Sequence, residues 1–367
     1  MSDPRVKKLA ALLVNYSVGV QPGEQVLITG STAALPLITE TLRAVLRAGG
    51  LPQMFVQDDE WTEIMLKEGS DEQLSYVPAP RKLVMETVDC LISLRAAENT
   101  RALSNVDPTR QQLAQLAQRE LMNTYMQRAA AGELRWVGTL FPTQAHAQDA
   151  DMSLSEYEDF VYEACFVDCE DPIAEWQRVH DMQARLIQWL EGKDRVVVKG
   201  PSVDLTLSIA GRTFINADGR RNMPSGEIFT GPVEESVNGW VRFSYPSIVA
   251  GREVEGIVLR FQDGKIVEAT AEKNEEYLHR VLDTDPGARY LGEFAIGTND
   301  GIQRFTKSIL FDEKIGGTIH MAVGKGYPES GSKNDSAVHW DMICEMRNGG
   351  KIWVDDELFY DSGVFKI

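Results

Sequence analysis

The chain has 367 residues, 43% of them hydrophobic, with 55 acidic side chains against 37 basic ones and a formal net charge of −18. Basic residues dispersed through an acidic excess exclude a nucleic-acid surface built on clustered Lys and Arg, and no stretch approaches the roughly 18–20 apolar residues of a membrane span. Four cysteines (Cys90, Cys165, Cys169 and Cys344) are too few and too scattered for a disulfide framework, and Cys165 and Cys169, expected within a helical acidic segment, read as reduced structural thiols.

The first residues carry basic side chains and a short apolar run. Leu9, Leu12, Leu13 and Val14 fall on one face of an amphipathic helix, which is not the pattern of a secretory signal. A soluble, cytoplasmic protein is the expectation. Residues 23–30 (GEQVLITG) predict a strand, followed by a helix that Ser31 or Thr32 caps and Gly49–Gly50 stops. Residues 51–57 (LPQMFVQ) predict the next strand, and this strand–helix–strand rhythm indicates parallel α/β structure. The glycine spacing around Gly30 does not match a nucleotide-binding fingerprint. Further strands are expected at 88–94 and 133–143. Between them lies one long helix with Asp107 as cap and Pro108 at its first position. His146 is expected in a surface loop, and His180 and His279 on ordinary helices. Residues 153–192 are mostly helical and close an N-terminal domain, 1–192.

From residue 193 the texture changes to apolar–polar alternation with frequent turns, including a hairpin at Asp263–Gly264. Residues 193–367 are therefore expected to form a β-rich α+β domain. Most carboxylates in this region sit in solvated settings. Glu227, Glu255, Glu293, Glu313 and Asp341 instead sit among glycine, proline or apolar strand residues, where burying a carboxylate is costly without a cation. His339 and Asp341, two apart in VHWDMI, point to one face of a strand at about 7 Å. His320 sits in another apolar strand, IHMAVG. Imidazoles and carboxylates delivered together suit a divalent metal. The chain lacks HExxH, so a single-zinc helical protease is not indicated.

GEIFTGP, YLGEFAIG, LFDEKIGGTIHMAVGKGYPE and NDSAVHWDMI, in this order, resemble the aminopeptidase T family of metallopeptidases, the thermophilic-type aminopeptidases. The resemblance implies two divalent cations, zinc, cobalt or manganese. It implies ligands at Glu227, Glu293, His320, His339 and Asp341, a further ligand at Glu313, and an active-site tyrosine at Tyr327. Glu255 matches no family role. The Glu313–His320 spacing is longer, and the His320–His339 spacing shorter, than in bacterial members. The implied reaction is removal of N-terminal residues from peptides, with Glu293 or Glu313 handling the proton, Tyr327 donating to the oxyanion, and a homodimer as the assembly. Two other readings stand beside it. One is a two-metal phosphoesterase using Lys307, Lys314, Lys325 or Lys333. The other is a non-catalytic α/β binding protein with a degenerate site.

Overall fold

The computed structural model describes residues 3–249 and 252–367. The chain divides into two compact units, Met1–Ile173 with Gly219–Pro224, and Ala174–Asp218 with Ser225–Ile367.

The first unit is built on a five-stranded parallel sheet. Its strands lie in the order Leu51–Gln57, Gln25–Ser31, Cys90–Arg95, Arg135–Leu140 and Asn222–Met223. Val26, Leu27 and Ile28 are all buried, the continuous apolar run expected of a strand covered on both faces. Asp107 accepts a hydrogen bond from the Thr109 backbone N–H and caps the helix Pro108–Ala117, as its spacing predicted. The single long helix expected beyond it is two, because the backbone tightens at Gln118, whose N–H bonds the Gln115 carbonyl, before Arg119–Ala130 begins.

Two local expectations need correction. His146 lies in a short helix, Gln144–Asp149, rather than a loop; the Thr143 hydroxyl caps that helix and also meets His146 Nδ1 at 2.9 Å. Cys165 and Cys169 lie beyond a helix, not within one. Leu154–Ala164 ends at Cys165, and Phe166 follows in the left-handed region at φ 57°. All four cysteines are free thiols. Among the described residues no helix is long and apolar enough to cross a membrane.

The second unit contains an eight-stranded antiparallel sheet and a five-stranded antiparallel sheet. The expected hairpin joins Val258–Gln262 to Lys265–Thr270 through Asp263 and Gly264. The smaller sheet runs His339–Glu345, Thr318–Gly324, Leu291–Gly297, Glu227–Thr230, Ile215–Ala217. Phe294, Ile296, Ile319, Met321, Val323, Trp340, Met342 and Cys344 belong to one apolar cluster that also takes residues such as Leu205, Val241 and Leu259 from the larger sheet. Strand side chains alternate, so the intervening residues of the small sheet point to its opposite face. Those residues include Glu293, Ala295, His320, Ala322, His339 and Asp341.

One irregularity is needed for this arrangement. Leu291 pairs with Val323, yet Glu293 pairs with Ala322, so two residues on one strand span one on the other. This bulge at Gly292 reverses the face. Leu291 joins the core and Glu293, two residues later, does not. A Cβ at Gly292 would lie 2.4 Å from the carbonyl oxygens of Gly324 and Lys325, so the bulge requires glycine.

Candidate metal centre

Four strands and one loop bring the expected ligands together. Register places Glu227 opposite Gly297, His320 opposite Ala295, and Glu293, Ala322 and Asp341 in one cross-strand row. The small side chains of Ala295 and Ala322 leave open floor between the longer ones. Glu313 caps the short helix Ile309–Asp312, and the loop after it lies tight against the Glu293 strand. A Cβ at Gly297 would sit 2.2 Å from the Ile315 carbonyl oxygen.

Three overlapping triplets result: Glu227, Glu293 and His320; Glu293, His339 and Asp341; and Glu313, His320 and Asp341. Within each, the donor atoms lie within 4.8 Å of one another. His320 Nε2 is 3.3 Å from Glu227 Oε2 and 3.4 Å from Glu293 Oε1. His339 Nε2 is 3.6 Å from Glu293 Oε2 and 3.5 Å from Asp341 Oδ2. Glu293 thus presents one oxygen to each histidine. His339 Nδ1 donates to the Lys325 carbonyl at 2.7 Å, which fixes the tautomer and leaves Nε2 as the lone-pair nitrogen facing the carboxylates. The His320 side chain is 1% exposed and that of His339 29%, so the first triplet is deep and the second opens to solvent.

Tyr327 borders the same space. Its ring packs edge-on against His339 with centroids 5.3 Å apart, and against Phe229 at 5.4 Å. Burial and the surrounding carboxylates Glu293, Asp341, Glu313 and Glu227 all hold its hydroxyl above the ordinary phenol range, so it is a donor at neutral pH. Glu255 lies elsewhere, paired with Lys273 at 2.6 Å.

Lys314 is the residue that sequence reading underrated. Its side chain is 0% exposed, and its ammonium touches Glu313 and lies 3.7 Å from Glu227 Oε1. The sequence carried no clear signal for this, because Lys314 ends the charged run Asp312–Glu313–Lys314, which reads as a solvated turn. Both its contacts are carboxylates, so it is not placed to receive a phosphate.

The electrostatics show a shortage of positive charge. Burial pushes the carboxyls of Glu227 and Glu293 upward, and that of Asp341 to about 6. Burial disfavours a charged His320, but Glu293, Glu227 and Glu313 outweigh it and raise the imidazole to about 10. Burial likewise opposes Glu313, and Lys314 and His320 overcome it, holding that carboxyl below its usual range. Four acidic groups share one ammonium, and the metal-free cluster takes up protons to compensate.

The neighbouring Asp312 gives a separate test. Burial raises its carboxyl to about 7 against the hydrogen bonds that Thr306 donates. A carboxyl raised in the folded state contributes stability below its unfolded pKa and loses it as pH rises through about 7. In metal-stripped protein, Asp312→Asn is expected to gain roughly 2–4 kcal/mol over the wild type between pH 4 and pH 7.5. Thermal melts across that range measure it, and a difference independent of pH would contradict the assignment.

The thermophilic metalloprotease (M29) family model matches residues 2–365. The chain belongs to that family. Aminopeptidase 2 of Geobacillus stearothermophilus is 30% identical over 93% of this chain and 92% of its own length. Aminopeptidase T of Thermus thermophilus is 29% identical over 98% of this chain and 95% of its own. The solved structure of wild-type AmpT from Thermus thermophilus superposes with a TM-score of 0.86 at 24% identity, covering 99% of each chain, which establishes the shared fold.

A metalloprotease family implies a divalent metal, and the residues present fit one. The donors are neutral imidazole nitrogens and carboxylate oxygens, the set that zinc, cobalt and manganese accept. Glu227 Oε2 is buried without a hydrogen-bond partner among the described residues. A divalent cation would satisfy that oxygen and displace the protons that otherwise neutralise the cluster.

Proposed function

We propose that this chain is an aminopeptidase that removes N-terminal residues from peptides at a centre holding two divalent ions. The observation that carries this reading is Glu293, whose two oxygens face separate histidines and so suit a carboxylate shared by two cations. In this reading the first ion is held by Glu227, Glu293 and His320, the second by Glu293, His339 and Asp341, and Glu313 adds to the cluster between them. Zinc, cobalt and manganese all suit the donors. The reading also takes residues 193–367 as the catalytic domain, a homodimer as the assembly and the cytoplasm as the location. These follow the family resemblance.

Bound ions supply Lewis-acid polarisation and activation of water. The protein supplies the remainder. Glu293, whose carboxyl burial pushes upward, or Glu313, paired with Lys314, accepts the water's proton and returns it to the leaving amine. The Tyr327 hydroxyl donates to the oxygen that gains charge as the peptide carbon becomes tetrahedral. The excess of carboxylates favours a substrate that arrives with a free, protonated α-amine. Beside His339 and Asp341 opens a cavity of about 240 Å³ lined by Ile248, Val249, Phe305 and Ile309 and also by Ser247, Lys307 and Asp312. Its apolar side suits an apolar first side chain.

Incubating the full chain with short peptides, with and without EDTA, tests the proposal. Release of the first amino acid, best when that residue is Leu, Met or Phe, is expected to stop in EDTA and return on adding Zn²⁺, Co²⁺ or Mn²⁺. Chelation should also lower Tm, since a ligand at 100 times its Kd stabilises by about 2.7 kcal/mol. Turnover that survives complete metal removal, or none in metal-replete protein, would refute the reading.

A further inference from the structure

We propose that Lys314 is a built-in cation that makes the two ion positions unequal: the position at Glu227, Glu293 and His320 is the weaker, and the one at Glu293, His339 and Asp341 the tighter. The proposal rests on the two-ion reading above and adds to it an order of loading. Lys314 is a positioning residue here, acting on the metal through charge.

Three observations carry it. First, the ammonium sits on one side of the cluster. It touches Glu313 and stands 3.7 Å from Glu227, the carboxylate that belongs only to the deep triplet. The ion pairs of His339 and Asp341 are with each other and with Glu293, and among the described residues they include no lysine or arginine. Second, the ammonium cannot turn away. The Lys314 N–H bonds the Phe311 carbonyl at 3.0 Å and its own carbonyl accepts from Asn299 at 3.2 Å. The chain then passes against Gly297, and the side chain is fully enclosed. Third, the site is buried, where water and salt do little to screen the repulsion between an ammonium and a divalent ion.

Lys314 therefore acts in two ways on the deep position. It occupies carboxylate oxygen that an ion would otherwise take, and it repels the ion itself. Asp341 in the outer position also feels this charge, but the ammonium's ion pairs are with Glu227 and Glu313 and not with Asp341. An ion in the outer position completes the coordination of Glu293, His339 and Asp341 without competing with the lysine. The deep position fills second and exchanges more readily.

Titration of the metal-stripped full chain with Mn²⁺, followed by calorimetry, tests this without reference to activity. The wild type should bind in two phases with affinities at least about 10-fold apart. Lys314→Met, which keeps much of the stem and removes the charge, should tighten the weaker phase by at least about 10-fold and leave the tighter within about threefold. Asp341→Asn in the lysine-containing chain should remove the tighter phase and spare the weaker one. A wild type that takes up one ion, with a second gained in Lys314→Met, also supports the proposal. Equal affinities in the wild type, a weaker phase unchanged or lost in Lys314→Met, or loss of the weaker phase in Asp341→Asn each overturn it. If Lys314→Met does not fold, the wild type and Asp341→Asn decide. Failure of peptide turnover in the EDTA assay would remove the aminopeptidase reading and leave this result standing.

Discussion

Glu293→Gln is expected to lower peptide turnover on the order of 10⁴-fold and to reduce metal content at both positions. The substitution is nearly isosteric, so its effect is electronic and directional. Glu293 is buried, with Oε1 3.4 Å from His320 Nε2 and Oε2 3.6 Å from His339 Nε2. An amide keeps one carbonyl oxygen and turns an N–H₂ toward the other histidine, where a cation would need an acceptor. It also removes one of the negative charges that would hold two divalent ions in the proposed centre. His339→Ala by contrast removes a ligand from the outer triplet alone. The check is metal analysis alongside the steady-state rate. Full metal content with near-normal turnover in Glu293→Gln would remove the shared-carboxylate assignment. The variant should also fold at least as well as the wild type without metal, because burial of Glu293 disfavours its charge.

Tyr327→Phe is expected to reduce kcat by about 10²–10³-fold with metal content unchanged. The ring position depends on His339 and Phe229, and phenylalanine preserves both contacts. Only the hydroxyl is lost. Its pKa is held high by burial and by the carboxylates around it, so the wild-type group is a neutral donor. In the proposed mechanism this interaction would be stronger in the transition state, where the carbonyl oxygen carries charge, than in the bound peptide. KM should therefore change little while kcat falls. A variant that loses kcat only in proportion to lost metal would show that Tyr327 supports His339 instead of the reacting carbonyl.

Much of the fold was legible because its signals are local. Parallel strands read as apolar runs, Asp107–Pro108 as a helix start, and Asp263–Gly264 as a hairpin turn. The errors were at element ends. The helix at Gln118 is interrupted, His146 sits in a six-residue helix, and the Cys165 segment leaves its helix early. Such boundaries depend on single hydrogen bonds that composition does not report.

For the candidate site, the residue types and one relation between them could be read from the chain. His339 and Asp341 share a face because strand side chains repeat every two residues, and carboxylates set among apolar residues imply a counter-charge. Tertiary structure decided the rest. Glu227 reaches His320 because the pairing of Gly297 with Glu227 and of Ala295 with His320 aligns three strands, and register is a non-local property. Glu293 alternates with the core residues Phe294 and Ile296, and the bulge at Gly292 is what lets Leu291, two residues earlier, enter the core as well. Lys314 became part of the centre because a loop packed on Gly297 left its ammonium no route to water.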